Sequence, residues 1–117
     1  TVATVATTFG WGTTASNGVQ SKVLLQVDVA IVTNAACKAK LSSVTDTMVC
    51  AGGLRNQDSC QGDSGGPLVV KQNATDVLVG IVSWGNGCGQ LGYPGVYARV
   101  STGRAFIDQY VPAATWR

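Results

Sequence analysis

The 117-residue sequence contains no histidine, no glutamate, one methionine and three prolines. Charged residues make up 12% of it, the net charge is +2, and the basic residues are scattered along the chain. Such a balance does not indicate a nucleic-acid or membrane-surface partner. No apolar run approaches the roughly 20 residues needed to span a bilayer. The first residues lack the regions of a signal peptide, so we expect any such peptide to lie upstream.

The chain is instead rich in glycine, with 15 residues, and in threonine, serine and valine. This composition disfavours long helices and favours short strands joined by tight turns. There is neither an internal repeat nor a low-complexity linker, so we predict one mainly β domain over residues 1–117. Strand patterns occur in six segments: 1–11, 22–32, 47–52, 67–71, 76–85 and 95–101.

Two short helices complete the prediction. Thr33 or Asn34 can cap a helical turn over residues 34–40. Near the end of the chain, the segment 101–111 follows a Ser/Thr cap and Pro112 ends it. We expect this terminal helix to pack on a β barrel through one apolar face, made of Phe106, Ile107, Tyr110 and Val111.

The four cysteines, at positions 37, 50, 60 and 88, lack the Cys-x-x-Cys spacing of a metal site. They allow two disulfides in three connectivities, and a Cys37–Cys50 bridge would join the first helix to the next strand. An even set of cysteines in this Ser/Thr/Gly-rich chain favours secretion. Asn73-Ala74-Thr75 is a glycosylation acceptor on a polar turn, which is meaningful only in a secreted protein.

The segment DSCQGDSGGP, residues 58–67, offers a core almost nothing to bury. Glycine costs up to about 1 kcal/mol relative to alanine in regular structure, so propensity does not explain the glycines around Ser64. Glycines do allow backbone N–H groups to converge beside a hydroxyl, which is the arrangement of an oxyanion hole in acyl transfer. A plain polar turn is the alternative, because Asp, Ser, Gly and Pro are the usual turn residues.

Four further motifs occur with this segment in one order: GWG (10–12), CAGG (50–53), GIVSWGNGCG (80–89) and YPGVYARVS (93–101). The ordered set resembles the C-terminal half of trypsin-like serine proteases of the chymotrypsin fold, over about residues 10–110. The low cysteine content is similar to that of secreted microbial or invertebrate trypsins. The resemblance implies an all-β fold, a single six-stranded antiparallel Greek-key barrel with a short C-terminal helix, which is the second barrel of the chymotrypsin fold.

By this resemblance, Ser64 is the acylated nucleophile, and the backbone N–H groups of Gly62 and Ser64 form its oxyanion hole. Asp63 would pair with a new α-amino terminus after zymogen cleavage; a turn-capping aspartate is the alternative. Asp58 would form the floor of a specificity pocket for a substrate Arg or Lys. A carboxylate removed from bulk water gains from such a cationic partner.

The resemblance also assigns the residues that contact the rest of the substrate, which are two glycines and the end of one strand. Gly85 and Gly95 would leave room in the walls of the pocket for a long side chain. The backbone of Ser83, Trp84 and Gly85 would pair with the substrate as an added strand. The substrate is then a protein or peptide with Arg or Lys before the scissile bond, and no cofactor or metal is implied.

The resemblance also pairs Cys60 with Cys88, which joins the Ser64 loop to the Trp84 segment, and this leaves Cys37 with Cys50. Apart from the substrate side of Trp84, we interpret the aromatic residues as packing. These residues include Trp11 and the aromatics of the last helix.

A serine hydroxyl needs a neighbouring base, which in this family is a histidine oriented by a buried aspartate. This chain has no histidine, and the resemblance places both residues in an N-terminal barrel that is absent here. Ser–Lys pairs and N-terminal threonines are other nucleophile systems. No local spacing brings a lysine beside Ser64, although the chain offers Lys22, Lys38, Lys40, Lys71 and Thr1.

Three hypotheses follow. The chain is a fragment, a split chain or a truncated form of a secreted serine endopeptidase, inactive without its missing half. Alternatively, it is a protease homologue without its base, which keeps the Arg/Lys pocket as a binding or inhibitor module. The third is a disulfide-stapled β domain with no retained chemistry. A lone barrel is expected to expose the apolar surface meant for its partner.

Overall fold

The computed structural model describes residues 4–13, 18–53, 58, 63–84 and 93–116. Helix α1 covers Asn34–Lys40, a 3-10 helix covers Val100–Gly103, and helix α2 covers Arg104–Tyr110. The last predicted strand ends early, because Val100 and Ser101 belong to the 3-10 helix. The strands within the described ranges are β1 (Val5–Gly10), β2 (Leu25–Val32), β3 (Met48–Gly52), β4 (Pro67–Gln72), β5 (Thr75–Trp84) and β6 (Pro94–Arg99).

The strands form a closed barrel in the order β1-β2-β3-β6-β5-β4, with antiparallel neighbours throughout. Strands β4, β5 and β6 are sequential neighbours, whereas β3 lies beside β6, which is a Greek-key arrangement. The predicted six-stranded antiparallel barrel is therefore confirmed. Side chains that alternate along the strands fill the interior. They include Ala6, Val29, Val49, Ala51, Leu68, Val70, Val82 and Tyr97.

Helix α1 is fixed by its cap and by a disulfide. The Thr33 hydroxyl accepts a hydrogen bond from the Ala36 N–H at 3.2 Å, so Thr33 rather than Asn34 is the cap. Cys37 and Cys50 form the predicted disulfide, with an S–S distance of 2.10 Å. Both cysteines are buried with Leu41, Val44 and Val96 in a second apolar cluster. The bridge thus holds the helix against β3.

The C-terminal region differs from the prediction in two ways. No side chain caps α2, because Thr102 lies in the 3-10 helix and its hydroxyl donates to the Arg99 carbonyl at 2.7 Å. Nor is any residue of α2 buried: Phe106 is 66% and Tyr110 is 72% exposed. These rings contact each other, with centroids 5.3 Å apart. The aromatic face of α2 therefore does not pack on the barrel.

The turn between β4 and β5 is a two-residue hairpin. Asn73 and Ala74 both have positive φ angles, 51° and 68°, as a type I′ turn requires. Both residues are exposed, and an ion pair between Lys71 Nζ and Asp76 Oδ1, 3.0 Å apart, spans the hairpin. The glycosylation acceptor at Asn73 therefore lies on an exposed turn, as predicted.

An open cavity of about 1360 Å³ occupies the end of the barrel at which this hairpin lies. We call this end the hairpin end. Its lining includes Ile31, Gln72, Arg99 and Ile107, with Trp116 from the C-terminal segment. In the described part of the chain, no helix is long and apolar enough to cross a membrane.

Candidate active site

The other end of the barrel gathers the residues to which the sequence assigns chemistry. We call it the serine end. The last residue of β1 and the first residue of β4 lie there, because Thr8 is opposite Leu68 in an antiparallel pair. The end of β5 and the start of β6 lie there too, because Trp84 is opposite Val96. The Ser64 segment enters β4 at this end.

Ser64 occupies the corner of a tight turn over residues 63–66. The Gly66 N–H donates to the Asp63 carbonyl at 2.9 Å, and Gly65 has a φ of 85°. A positive φ at the third position defines a type II turn and explains the glycine there. Ser64, at the second position, is exposed. The turn thus leaves Ser64 accessible to solvent.

The backbone of β5 fixes this turn from one side. The Gly65 N–H donates to the Val82 carbonyl at 3.0 Å, and the Val82 N–H donates to the Gly66 carbonyl at 2.9 Å. These two bonds extend the β4–β5 ladder beyond Pro67. The serine is therefore attached to the regular sheet rather than to a free loop.

The end of β1 fixes the turn from the other side, through the Asp63 carboxylate. The Gly12 N–H donates to Asp63 Oδ1 at 2.8 Å. A Cβ atom on Gly10 would overlap Asp63 Oδ1, and one on Gly12 would lie 2.5 Å from Asp63 Cγ. The carboxylate therefore lies in space that two missing side chains leave open.

The Asp58 carboxylate lies against β6. A Cβ atom on Gly95 would come within 2.5 Å of Asp58 Oδ1 and 3.4 Å of the Tyr97 ring. Gly95 is buried and pairs with Ala51 of β3, so Asp58 lies over the backbone where β3 and β6 meet. The structure brings together Asp58 and Gly95, the predicted floor and one predicted wall of the pocket.

Ser83 and Trp84 end β5 with an irregular register. Val82 is opposite Tyr97 and Trp84 is opposite Val96, so Ser83 is the extra residue of a β-bulge. Both Ser83 and Trp84 are exposed. A bulge at a strand end re-aims the backbone that follows it, which suits a segment that receives a further strand.

Other predictions fall outside the described residues. These are the Gly62 N–H, the Gly85 wall and the Cys60–Cys88 bridge. Among the residues that the structure does describe, no group of three or more His, Cys, Asp or Glu side chains could hold a metal ion.

Sequence reasoning missed the contribution of β1 to this site. It used Gly10-Trp11-Gly12 only as a motif and interpreted Trp11 as packing, yet Trp11 is 53% exposed. The flanking glycines, rather than Trp11, lie against the Asp63 carboxylate. The Gly-x-Gly spacing at a strand end was the available signal, but it does not reveal a contact 51 residues away.

The closed Greek-key barrel and the exposed Ser64 turn at its strand ends agree with the resemblance that the sequence motifs indicate. The sequence model of the Trypsin family matches residues 1–107. The chain belongs to the trypsin family.

Several curated relatives are close in sequence. The chain is 47% identical over 114 residues to trypsin zeta of Drosophila melanogaster, covering 90% of this chain and 39% of that protein. It is 52% identical over 104 residues to trypsin 5G1 of Aedes aegypti, covering 86% and 38%. It is 44% identical over 103 residues to a venom protease of Bombus pensylvanicus, covering 87% and 41%. The chain thus spans about two fifths of the length of these relatives.

Proposed function

We propose that this chain is the C-terminal barrel of a secreted serine endopeptidase, which supplies the nucleophile, the oxyanion hole and the specificity pocket. The observation that carries the proposal is the Ser64 turn. Ser64 is exposed, the backbone of Gly65 and Gly66 is hydrogen-bonded to β5, and Asp63 accepts a hydrogen bond from the Gly12 N–H. A nucleophile must be accessible and fixed at the same time, since small misplacements are costly in rate.

The reaction is acyl transfer from a peptide bond. Ser64 Oγ attacks the carbonyl carbon, its proton passes to a base, and the backbone N–H groups of Gly62 and Ser64 stabilise the oxyanion. The peptide nitrogen leaves with that proton as an amine. Water then attacks the acyl-serine, which releases the acid and restores the hydroxyl.

The pocket takes an Arg or Lys side chain of the substrate. Asp58 supports this assignment because its Oδ1 is buried and lies close to Gly95, which has no side chain. A carboxylate in such a site is paired with a substrate cation at the end of a long side chain. Gly85 contributes the other wall, and the strand end at Ser83 and Trp84 pairs with the substrate backbone.

The base comes from polypeptide outside this chain. The sequence has no histidine, and it spans about two fifths of the relatives' length. Exposed apolar side chains, among them Phe106, Tyr110 and Leu78, support a partner barrel that covers them. Asp63, in this proposal, also receives the α-amino group formed by zymogen cleavage, and Asn73 carries a glycan on its exposed turn.

A second candidate function has one observation in its favour. The absence of histidine from the sequence suits a homologue that binds through the Asp58 cleft without catalysis. Such a protein would act as a binding or inhibitor module for cationic peptide segments.

Labelling with a serine-directed phosphonate tests the proposal. The full-length product of the gene that encodes this chain is secreted, activated by cleavage of its zymogen form, treated with the phosphonate and weighed by intact-mass spectrometry under reducing and non-reducing conditions. We expect one adduct on the parent protein, one on Ser101→Ala and none on Ser64→Ala. Ser101 is the matched control because it is an exposed serine on the 3-10 helix.

A folded parent protein that takes no label would overturn the endopeptidase proposal. Binding of an aromatic amidine then decides the second candidate. Amidine binding by the unlabelled parent, lost in Asp58→Asn, would establish the binding module; no binding would overturn that candidate as well.

A further inference from the structure

We propose that Gly10 and Gly12 are positioning residues for Ser64, because they leave the space in which the Asp63 carboxylate lies. This inference rests on the proposed function of Ser64 and adds two residues to it. Neither glycine touches the substrate side of the turn in the proposed site; both act through Asp63.

The backbone at these positions does not itself require glycine. Among the described residues, positive φ angles at glycine occur at Gly52, Gly53 and Gly65. Gly10 ends a regular strand, and an alanine could adopt its φ as well as that of Gly12. What excludes a side chain is the Asp63 carboxylate, which would meet a Cβ atom at either position.

The space that holds the Asp63 carboxylate also contains a hydrogen-bond donor. The Gly12 N–H donates to Asp63 Oδ1 at 2.8 Å, and Gly12 is buried. A hydrogen bond from a backbone N–H to a carboxylate is one of the stronger kinds. The two glycines thus provide both the volume and a donor, and we call them the carboxylate seat.

The seat acts on Ser64 through one peptide bond. Asp63 is the first residue of the turn, and its carbonyl accepts the Gly66 N–H at 2.9 Å. A methyl group at Gly10 or Gly12 would displace the Asp63 carboxylate, so the Asp63 side chain must rotate or its backbone must shift. Either change disturbs the hydrogen bond from the Gly12 N–H that ties the turn to the end of β1. The turn also lies close to β1, because a Cβ atom added to Gly66 would lie 3.1 Å from the Phe9 carbonyl oxygen.

Alanine substitutions in the full-length gene product test the seat. Gly10→Ala and Gly12→Ala should each lower the rate of phosphonate labelling of Ser64 by about 100-fold, the scale that a misplacement of about 1 Å produces. Gly103→Ala is the matched control, because nothing lies within 4 Å of a Cβ atom there. It should label at the parent rate. Labelling of Gly10→Ala and Gly12→Ala at the parent rate would overturn the inference.

A thermal double-mutant cycle separates the seat from a general packing role. Gly12→Ala should lower the Tm of the parent but leave the Tm of Asp63→Ala unchanged, because the carboxylate that it meets is gone. If Gly12→Ala does not fold alone, a folded yield in the double variant is the expected rescue. An equal loss of Tm or of yield in both backgrounds contradicts the seat.

The two proposals fail in different ways. A parent protein that takes no label refutes the role of Ser64, while the thermal cycle still measures whether Gly12 accommodates Asp63. A parent that labels well, with no coupling between Gly12 and Asp63, refutes only the seat.

Discussion

The two ends of the barrel differ in packing: side chains and backbone are in close contact at the serine end, whereas the hairpin end is open. At the serine end, carboxylates lie in the space left by glycines, and backbone groups of β1 and β5 hold the Ser64 turn. At the hairpin end, a cavity of about 1360 Å³ lies open and the aromatic face of α2 is exposed. The described residues therefore include the contacts that hold the Ser64 turn, whereas apolar side chains at the other end are left exposed.

Polar side chains at the hairpin end connect secondary-structure elements to one another. Arg99 Nε donates to the Met48 carbonyl at 3.1 Å, and its guanidinium also donates to Asn34 Oδ1 at 3.2 Å. Asn34 in turn donates to the Met48 carbonyl at 3.0 Å. These bonds tie α1, β3 and β6 together beside the cavity. Substitutions at the two ends should therefore affect different properties.

The largest effect is expected at the serine end. Asp58→Asn in the full-length product should lower kcat/KM for Arg and Lys peptides by about 30-fold to 4,000-fold, because losing one partner of a desolvated charge pair costs about 2–5 kcal/mol. Its control is Asp76→Asn, a carboxylate 65% exposed on the hairpin, which should leave kcat/KM unchanged. Equal kcat/KM values in the two variants would contradict the assignment of Asp58 to the specificity pocket.

The Cys37–Cys50 bridge should give the next largest effect, on stability rather than on rate. Its loop spans 13 residues, and replacing both cysteines with alanine should cost about 3 kcal/mol, since the unfolded chain then regains its freedom. Chemical denaturation measures this loss. Lys38→Ala, on the exposed face of the same helix, should change the unfolding free energy by less than about 0.5 kcal/mol.

A smaller effect of opposite sign is expected at the hairpin end. Ala74 has a φ of 68°, where an alanine costs about 1–2 kcal/mol, so Ala74→Gly should raise the unfolding free energy by about 1 kcal/mol. The same substitution at Ala35, in α1, should lower it by a similar amount, because glycine weakens a helix. If both substitutions changed the unfolding free energy in the same direction, the assignment of a type I′ turn would be contradicted.

The smallest effect is expected at α2. In the 117-residue chain, Phe106→Ser should change the unfolding free energy by less than about 0.5 kcal/mol, because the ring is 66% exposed. In the full-length product, the same substitution should cost more, because the proposed partner barrel covers the ring. Equal costs in both proteins would show that α2 remains exposed in the longer protein.

Much of the fold could be predicted because it follows local patterns. The strand pattern over residues 22–32 predicted β2, and the capped segment 34–40 predicted α1 with the bounds that the structure shows. The cap of α2 could not be predicted, because the hydroxyl of Thr102 bonds to Arg99 instead of the helix. The exposure of its aromatic face could not be predicted, because apolar residues on one helix face do not show which surface that face contacts.

The site was predictable in part for a different reason. A sequence motif marks Ser64 and Asp58, but a motif does not reveal which backbone holds them. The bulge at Ser83 arises from a register shift between β5 and β6. The contact of Asp63 with Gly12 depends on barrel closure, which joins segments 51 residues apart.

The pairing of β1 with β4 has a consequence for the order of folding. Strands β4 and β5 meet through a two-residue turn, whereas Thr8 and Pro67, joined by a hydrogen bond of 3.0 Å, are separated by 59 residues. Contacts of high sequence separation form late, because the entropy of closing the loop must be overcome first. We expect the Ser64 turn to reach its native geometry only in that last step.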